Sequence, residues 1–316
     1  MKSKSIIILM ILSCSPVVNT SGDKEFIPEK LTVCSKYKIF EDQPVFSGVI
    51  EEGDIAYYGL LLQVNYDKKI VNYLRASEQN SLWAYHRGYG PTSEDSAIVI
   101  EGLLSAGLDK RILEKNMEVI IKEYYDSSVP GFHTVRNGNA PYWSGVKTET
   151  TAHLSYLLYE ISGNKYIKII NETMLYLANL QKSDGSWDGN WFPSFTIPMY
   201  YIVRLLHLDF NKYKKNIEYA KDYLIKAQLD NGSWNNSIIE TAAAILTLKT
   251  LRYFNGENNI RKGRLWIDKN RIGNSWNGET VLYYWTESAS EKTKIFYICN
   301  DKGKITQAWA KLALRH

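Results

Sequence analysis

The sequence predicts an all-α fold in which paired helices form two concentric rings. Three observations predict it. A short motif containing Gln and Trp recurs in the second half of the chain, the segments between its copies have helical periodicity, and half-exposed segments alternate with segments that are apolar on nearly all sides. The chain has 316 residues, 45% of them hydrophobic, so it is long enough to bury the large core of such a fold.

The first 22 residues are interpreted as an export signal. Lys2 and Lys4 precede the apolar run 6–12, which is too short to span a bilayer. The segment 11–14, Ile-Leu-Ser-Cys, resembles a bacterial lipobox, which implies lipidation of Cys14 and membrane association through it. Ordinary signal cleavage is the alternative. Either way we expect export to the cell envelope or secretion, with 23–50 as an N-terminal arm and 51–316 as the helical domain.

The repeat is clearest in two copies. Gln181-Lys-Ser-Asp184-Gly-Ser-Trp187 recurs as Gln228-Leu-Asp-Asn-Gly-Ser-Trp234, and worn copies end at Trp276 and at Phe132. The Trp positions 187, 234 and 276 lie 47 and 42 residues apart, which leaves room for one helical hairpin per repeat.

Each hairpin is predicted to pair two kinds of helix. One kind is amphipathic, with apolar residues at helical spacing and Lys and Glu on the other face. Its examples are Leu113, Met117, Ile120 and Tyr124, and Ile217, Ala220, Leu224 and Ala227.

The second kind is apolar on nearly all sides and is therefore predicted to be buried. Its examples begin at Asp95, Thr150, Glu240 and Thr306, and each leading residue is interpreted as an N-cap. Five to six such hairpins would place the buried helices in an inner ring. If the ring closes, these helices surround a cavity and their N-termini open at one end of it.

The Gln-x-x-Asp-Gly-Ser-Trp pattern resembles the QW motif of the squalene-hopene cyclase and protein prenyltransferase superfamily. The resemblance covers about residues 55–316 and implies an α/α toroid. In that superfamily the Gln caps a helix end and the Trp stacks beside it, so Gln181, Asp184, Trp187, Gln228, Trp234 and Trp276 are implied to be structural. The toroid hosts several chemistries, so the motif implies the fold and leaves the reaction open.

The cyclases of this superfamily carry an Asp-x-Asp-Asp-Thr-Ala box at the start of an inner helix. The matching segment here is Thr92-Ser93-Glu94-Asp95-Ser96-Ala97, so the resemblance implies that Glu94 is the acid and Asp95 its partner. Thr92 stands where the family has its first Asp. Adjacent carboxylates raise one another's pKa, as a general acid requires. The alternative is that Glu94 and Asp95 only cap the helix.

Further candidates for lining a cavity are aromatic, acidic or basic residues near the predicted starts of buried helices. They are Tyr58, Tyr85, His86, Arg87, Tyr142, Trp143, Glu149, His153, Glu240, Tyr284 and Trp285. In a cyclase the rings would stabilise carbocations. In a polysaccharide lyase of this fold, Tyr or His would be the base and Arg would hold a uronate. The alternative is that these side chains only pack between the inner and outer rings of helices.

Composition and cysteine content exclude other classes. The net charge is only +4 without a long basic run, so nucleic-acid binding is not expected. Cys14, Cys34 and Cys299 form neither a disulfide framework nor a metal motif, although Cys34 and Cys299 could pair after export. The zinc sites of prenyltransferases and lanthionine cyclases and the thioester segment have no counterpart, and no metal or cofactor is expected.

We therefore expect a terpenoid-cyclase-like protein that binds an apolar isoprenoid-type ligand, with acid-initiated cyclisation if it is an active enzyme. Export argues against this function, because isoprenoid precursors are made inside the cell. The alternatives are an envelope carbohydrate-active enzyme with a glycan ligand, and a non-catalytic binding scaffold.

Overall fold

The computed structural model describes residues 31–33, 45–49, 54–84, 90–135, 145–189, 194–251, 257–287, 294–300 and 303–315. The helices in these ranges are α1 (Asp54–Val64), α2 (Lys68–Ala76), α3 (Ser93–Ser105), α4 (Lys110–Tyr124), α5 (Thr148–Ser162), α6 (Ile167–Asn179), α7 (Thr196–Leu206), α8 (Phe210–Ala227), α9 (Ile238–Thr250), α10 (Glu257–Lys269) and α11 (Lys304–Leu314). The strands are β1 (Leu31–Val33), β2 (Val45–Val49), β3 (Tyr125–Asp126), β4 (Gly131–Phe132), β5 (Thr280–Glu287) and β6 (Lys294–Asn300).

The odd-numbered helices form a closed inner ring. Each packs against the next from α1 to α11, and α11 packs against α1. The even-numbered helices pack outside this ring, each against an inner neighbour. The predicted all-α toroid is confirmed. Helices α1 and α3 pack closely because each has a glycine at their contact. A Cβ on Gly59 or Gly102 would collide with the backbone of the other helix.

Burial separates the two rings as the sequence pattern predicts. Helix α9 is buried from Ile238 to Ile245 without interruption. Helix α4 buries only the stripe Leu113, Asn116, Met117, Ile120 and Tyr124. An inner helix contacts protein on most sides, whereas an outer helix keeps one face in water, so the two kinds of periodicity follow from ring position.

All inner helices begin at the same end of the toroid. Short turns at 65–67, 106–109, 163–166 and 207–209 join inner helices to the outer helices that follow them. The longer connections run at the opposite end and lead into the next inner helix. We call the first turns of α3, α5, α7, α9 and α11 the rim.

The repeated Trp residues tie these longer connections to the outer helices. Each indole Nε1–H donates to a carbonyl in the last turn of the preceding outer helix. The donor–acceptor pairs are Trp187 to Leu177 (2.7 Å), Trp234 to Leu224 (2.8 Å) and Trp276 to Ile267 (2.8 Å). Trp83 does the same to Leu74 (2.7 Å) and forms an earlier copy of the turn. This copy is harder to recognise in the sequence because Ser81 stands where the two clearest copies have Gly.

The repeated Gln residues join neighbouring outer helices. Gln181 Nε2 donates to the Asn216 carbonyl on α8 at 2.9 Å, and Asn216 Nδ2 donates back to Gln181 Oε1 at 2.8 Å. Gln228 forms the same pair with Asn259 on α10. Between Gln and Trp, the Asp184 carboxylate accepts the Ser186 N–H at 2.9 Å and closes the turn.

The chain also forms a four-stranded sheet, ordered β1-β2-β6-β5. Two strands come from the predicted N-terminal arm, and β2 runs parallel to β6. Tyr284 and Trp285 were expected near the start of a buried helix, but they lie in β5, paired with Tyr297 and Phe296. That expectation was wrong because the run 280–286 is β-branched and aromatic, a composition that favours strands.

The predicted signal segment with Cys14 lies outside the described residues, as do Tyr85, His86, Arg87, Tyr142 and Trp143. The assignments made for them stay predictions. No helix in the described part of the chain has both the length and the apolar character that crossing a bilayer requires.

Candidate active site at the rim and interior of the ring

The first turn of α3 holds the two predicted catalytic carboxylates. The N-cap is Thr92, whose extended backbone (φ −122°, ψ 157°) and hydroxyl meet the requirements of a cap. Its Oγ1 accepts the Asp95 N–H at 3.0 Å and donates to Asp95 Oδ2 at 2.5 Å. Thr92, rather than Asp95, therefore caps this helix, and it fixes the orientation of the Asp95 carboxylate.

Glu94 lies beside Asp95 and faces other charged groups. It is half-buried. Burial raises the pKa of its carboxyl well above the usual range, and the charges of Glu149 and Asp95 raise it further, against the opposing effect of Lys147. A carboxyl in this environment keeps its proton at a higher pH than a free carboxyl does.

Glu149 opens α5 next to Glu94. Its side chain is buried, with 1% of the residue exposed, and it accepts the Thr148 hydroxyl at 2.8 Å. Burial lowers the pKa of the neighbouring Lys147, although both Glu149 and Glu94 oppose that shift. The α3–α5 side of the rim is thus a cluster of three carboxyl groups and one lysine.

A second acidic pair occupies the α9–α11 side of the rim. Burial raises the pKa of Glu240 to about 7, with a further contribution from Glu279, while hydrogen bonds from Asn235 and Ser194 lower it. Asn235 Nδ2 donates to Glu240 Oε1 at 2.8 Å. The cap of α9 is Ser237, three residues before the predicted Glu240, because Ser237 alone has the extended backbone and the accepting hydroxyl.

Below the rim, three inner helices meet in a buried charged network. Glu101 on α3 accepts a hydrogen bond from Arg204 Nη1 on α7, and its Oε2 lies 2.7 Å from His153 Nε2 on α5. Glu101 follows Glu94 by two helical turns, so it lies on the same face of α3 and about 10 Å further from the rim.

The network is ionised between Glu101 and Arg204. Burial alone would raise the pKa of Glu101, but Arg204 and His153 outweigh it and hold the pKa at about 2. Burial lowers the pKa of His153 in spite of Glu101, so the imidazole is neutral at neutral pH.

Aromatic rings surround this network. The Arg204 guanidinium lies 4.1 Å from the Tyr156 ring centroid and 4.9 Å from that of Tyr200. His153 stacks on Tyr201 at 4.4 Å, and the indole of Trp309 on α11 meets Tyr200 and Tyr201 edge-on. Aromatic rings from three inner helices therefore pack around the charged network.

The structure distributes the predicted site residues unevenly. It brings Glu94, Asp95 and Glu149 together and places His153 beneath them. Tyr58, in contrast, packs against Tyr57 and against Tyr73 of the outer helix α2, with ring centroids 5.4 and 5.1 Å apart.

Sequence reasoning missed Glu101, Arg204, Tyr200, Tyr201 and Trp309. The available signal was a charged residue inside an apolar inner-helix run, Glu101 in Ala-Ile-Val-Ile-Glu-Gly-Leu-Leu and Arg204 in Tyr-Tyr-Ile-Val-Arg-Leu-Leu. Charged residues are almost never fully buried unless they are paired, so each of these two predicts a partner across the ring.

Chemically, the arrangement combines a carboxyl of raised pKa at the rim with buried aromatic rings and an internally neutralised ion pair below it. A positioned carboxylic acid supports proton donation, and aromatic faces stabilise a cation. Within the described ranges, no group of three or more His, Cys, Asp or Glu side chains is placed to hold a metal ion.

His133, the residue after strand β4, has both ring nitrogens engaged. Its Nε2 lies 3.2 Å from Asp126 Oδ2, and its Nδ1 accepts the Gly145 N–H at 3.1 Å. These two contacts fix the orientation of its imidazole ring next to the β3–β4 hairpin.

No protein-family model matches the sequence, and no curated protein sequence matches it significantly. Solved structures do match the fold. A protein from Actinoplanes gives a TM-score of 0.64 at 15% identity, covering 83% of this chain and 89% of that one. The type II terpene cyclase MstE from Scytonema gives 0.64 at 14% identity, covering 83% and 86%.

An ent-copalyl diphosphate synthase from Streptomyces platensis gives a TM-score of 0.57 at 16% identity, covering 83% of this chain and 49% of that one. Variants of MstE have been solved with geranylgeranyl dihydroxybenzoate as substrate and with merosterolic acid A as product. At these identities the likeness establishes the fold: the chain has the toroid of class II terpenoid cyclases.

Proposed function

We propose that this protein binds a linear isoprenoid inside the helical ring and that Glu94 protonates it to start a cyclisation. The observation that carries the proposal is the Glu94 carboxyl, which lies in the first turn of an inner helix beside Glu149 and has a pKa raised by burial and by that neighbour. A proton donor for an alkene must hold its proton at the working pH, and this environment favours the protonated form.

Three further observations support the proposal. Glu94 occupies the acid position of the cyclase box, although Thr92 stands at the first Asp. The buried aromatic rings of Tyr201 and Trp309 lie on neighbouring parts of the inner ring, and aromatic rings of this kind stabilise a carbocation. Finally, the substrate in the MstE complex, geranylgeranyl dihydroxybenzoate, is a prenylated compound, and that protein has the same fold.

The test is to incubate wild type and Glu94→Gln with a panel of linear isoprenoids of different chain lengths and end groups. We expect a cyclised product from wild type and at least a hundredfold loss of turnover in Glu94→Gln, because Gln keeps the shape of Glu but has no proton to donate. Turnover by wild type should fall as the pH rises through the raised pKa of Glu94, since the acid then loses its proton.

The matched control is Glu257→Gln, which changes an exposed glutamate in the first turn of the outer helix α10. It should leave turnover unchanged. If Glu94→Gln turns over the substrate as fast as wild type does, Glu94 is not the acid. Failure of wild type to bind any of the isoprenoids would contradict the proposed ligand class.

A further inference from the structure

We infer that Arg204 holds an uncharged oxygen of the ligand, such as a ketone or hydroxyl oxygen, at the inner end of the ligand site. The inference deepens the proposed function and rests on it. It defines the ligand as a neutral, oxygenated isoprenoid. The oxygen lies at one end of the part of the ligand that the helical ring encloses, and the alkene that Glu94 protonates lies at the other end.

Only one edge of the Arg204 guanidinium donates hydrogen bonds to the described residues. Nη1 donates to Glu101 Oε1 and to the Tyr200 hydroxyl, the latter at 3.0 Å. Nε and Nη2 have no hydrogen-bond partner among the described residues. These two N–H groups point the same way from one edge of the planar group, so they form an open fork of parallel donors.

The fork is shielded but close to space that solvent reaches. The Arg204 side chain is only 10% exposed, and both free nitrogens are buried. Tyr156 and Tyr200, the two rings nearest the guanidinium, are half-buried. A buried donor pair without an acceptor is unfavourable, so an oxygen that enters past these rings gains both hydrogen bonds.

Charge balance decides which oxygen fits. Glu101 is ionised and already neutralises Arg204, while His153 is uncharged at neutral pH. A carboxylate or phosphate at the fork would therefore be a buried anion without a counter-charge, below a rim that carries Asp95 and Glu149. A neutral oxygen accepts the same two N–H groups without that cost.

The spacing sets the distance from alkene to oxygen. Glu101, which Arg204 contacts, lies about 10 Å from Glu94 along α3. Three backbone bonds span 3.8 Å, so the four chain bonds of an isoprene unit span about 5 Å. About two isoprene units therefore separate the alkene at Glu94 from the oxygen at Arg204.

The experiment compares three ligands with the same geranyl chain: geranylacetone, the matched hydrocarbon and geranyl diphosphate. Binding to the full chain is measured at neutral pH through tryptophan fluorescence, since Trp309 contacts Tyr200 and Tyr201. We expect wild type to bind the ketone roughly tenfold or more tightly than the other two ligands, as hydrogen bonds to a charged donor predict.

Two variants test the fork itself. Arg204→Met should abolish the ketone preference. Arg204→Lys keeps a positive charge beside Glu101 but has no fork, so it should lose most of the preference while retaining the fold. The control Arg111→Met changes an arginine that is 88% exposed on α4 and should behave as wild type. Thermal melting of each variant checks that the fold is intact.

Each outcome has one meaning. Equal binding of ketone and hydrocarbon, or a preference that survives in folded Arg204→Lys, overturns the inference while the proposed function stands. Tighter binding of the diphosphate also overturns it, because the site then accepts a net negative charge. Binding of none of the three ligands by wild type contradicts the proposed function and the inference together.

Discussion

Glu101 and Glu240 are both buried glutamates on inner helices, yet their pKa values move in opposite directions. Burial raises both. At Glu101 the guanidinium of Arg204 and the imidazole of His153 outweigh burial and bring the pKa to about 2. At Glu240 the neighbours are Asn235, Ser194 and another carboxylate, so burial prevails and the pKa is about 7. The partner on the adjacent helix, rather than burial, decides which glutamate is charged.

The raised pKa of Glu240 has a consequence for stability. Its folded pKa exceeds the ordinary value of 4.5, so its contribution to stability is fully present below about pH 4.5 and is lost as pH rises to about 7. Glu240→Gln should remove this loss. At pH 8 we expect the variant to be more stable than wild type by up to about 3 kcal/mol, with little difference at pH 4.

Urea unfolding of both proteins at the two pH values measures the effect. Glu257→Gln, at an exposed first-turn position, serves as the control and should show the same pH dependence as wild type. A stability difference between Glu240→Gln and wild type that is the same at pH 4 and pH 8 would refute the titration of Glu240 as its cause.

At the scale of the element, the repeated turn joins three helices. Its Trp bonds to the end of the preceding outer helix, and its Gln bonds to the next outer helix. The backbone N–H of the aromatic residue also reaches a hydroxyl of the following inner helix: Trp234 donates to Thr241 at 3.0 Å, and Phe132 donates to Thr151 at 2.9 Å. Each turn thus fixes the place of one hairpin relative to the next.

Trp187→Ala and Trp234→Ala should each lower the free energy of unfolding by on the order of 3 kcal/mol, because each removes a buried aromatic side chain and leaves a cavity. Trp187→Phe keeps most of the packing and loses the bond to Leu177, so it should cost about 1 kcal/mol. Chemical denaturation measures all three.

The control is Tyr219→Ala on α8, where the side chain is 45% exposed and truncation should cost little. Losses for the two Trp variants that are no larger than the loss for this control would contradict the bracing role of the repeat.

At the scale of the whole molecule, Glu279, a residue outside the helices, ties the inner helices α9 and α11 together. The Glu279 carboxylate accepts from the Ser237 hydroxyl and from the N–H groups of Ile238 and Ile239 at the start of α9, at 2.6 to 3.1 Å. Its own N–H donates to Thr306 on α11 at 3.2 Å. Strand β5 begins at the next residue, so this carboxylate joins the sheet to the seam between α9 and α11.

Glu279→Ala should loosen that seam, since it leaves two helix N–H groups of α9 without their acceptor. We expect faster amide hydrogen exchange in the first turns of α9 and α11 and unchanged exchange in the first turns of α3 and α5. Glu279→Gln, which retains an acceptor oxygen, should have a smaller effect. Equal acceleration around the whole rim in Glu279→Ala would show global destabilisation instead.

The sequence by itself determined the two kinds of helix and their pairing into hairpins, and the resemblance of its Gln–Trp motif implied the toroid, whereas the closure of the ring came from the structure. Periodicity and the Gln–Trp turns are local properties, and a stack of such hairpins has few ways to bury its apolar faces. It also identified Glu94, Asp95, Glu149 and Glu240 as first-turn carboxyls, although it named the wrong caps. Capping depends on the φ and ψ angles of a single residue, and a composition pattern does not specify them.

Only the tertiary structure decided which side chains meet inside the ring. Glu101 and Arg204 are 103 residues apart in the chain, and their contact depends on which inner helices are neighbours and how each is rotated. The sheet depended in the same way on residues from both ends of the chain, since β2 pairs with β6. Charge state, and with it the chemistry available to each carboxyl, is set by these long-range neighbours, because electrostatic interactions depend on distance in space and not on separation in sequence.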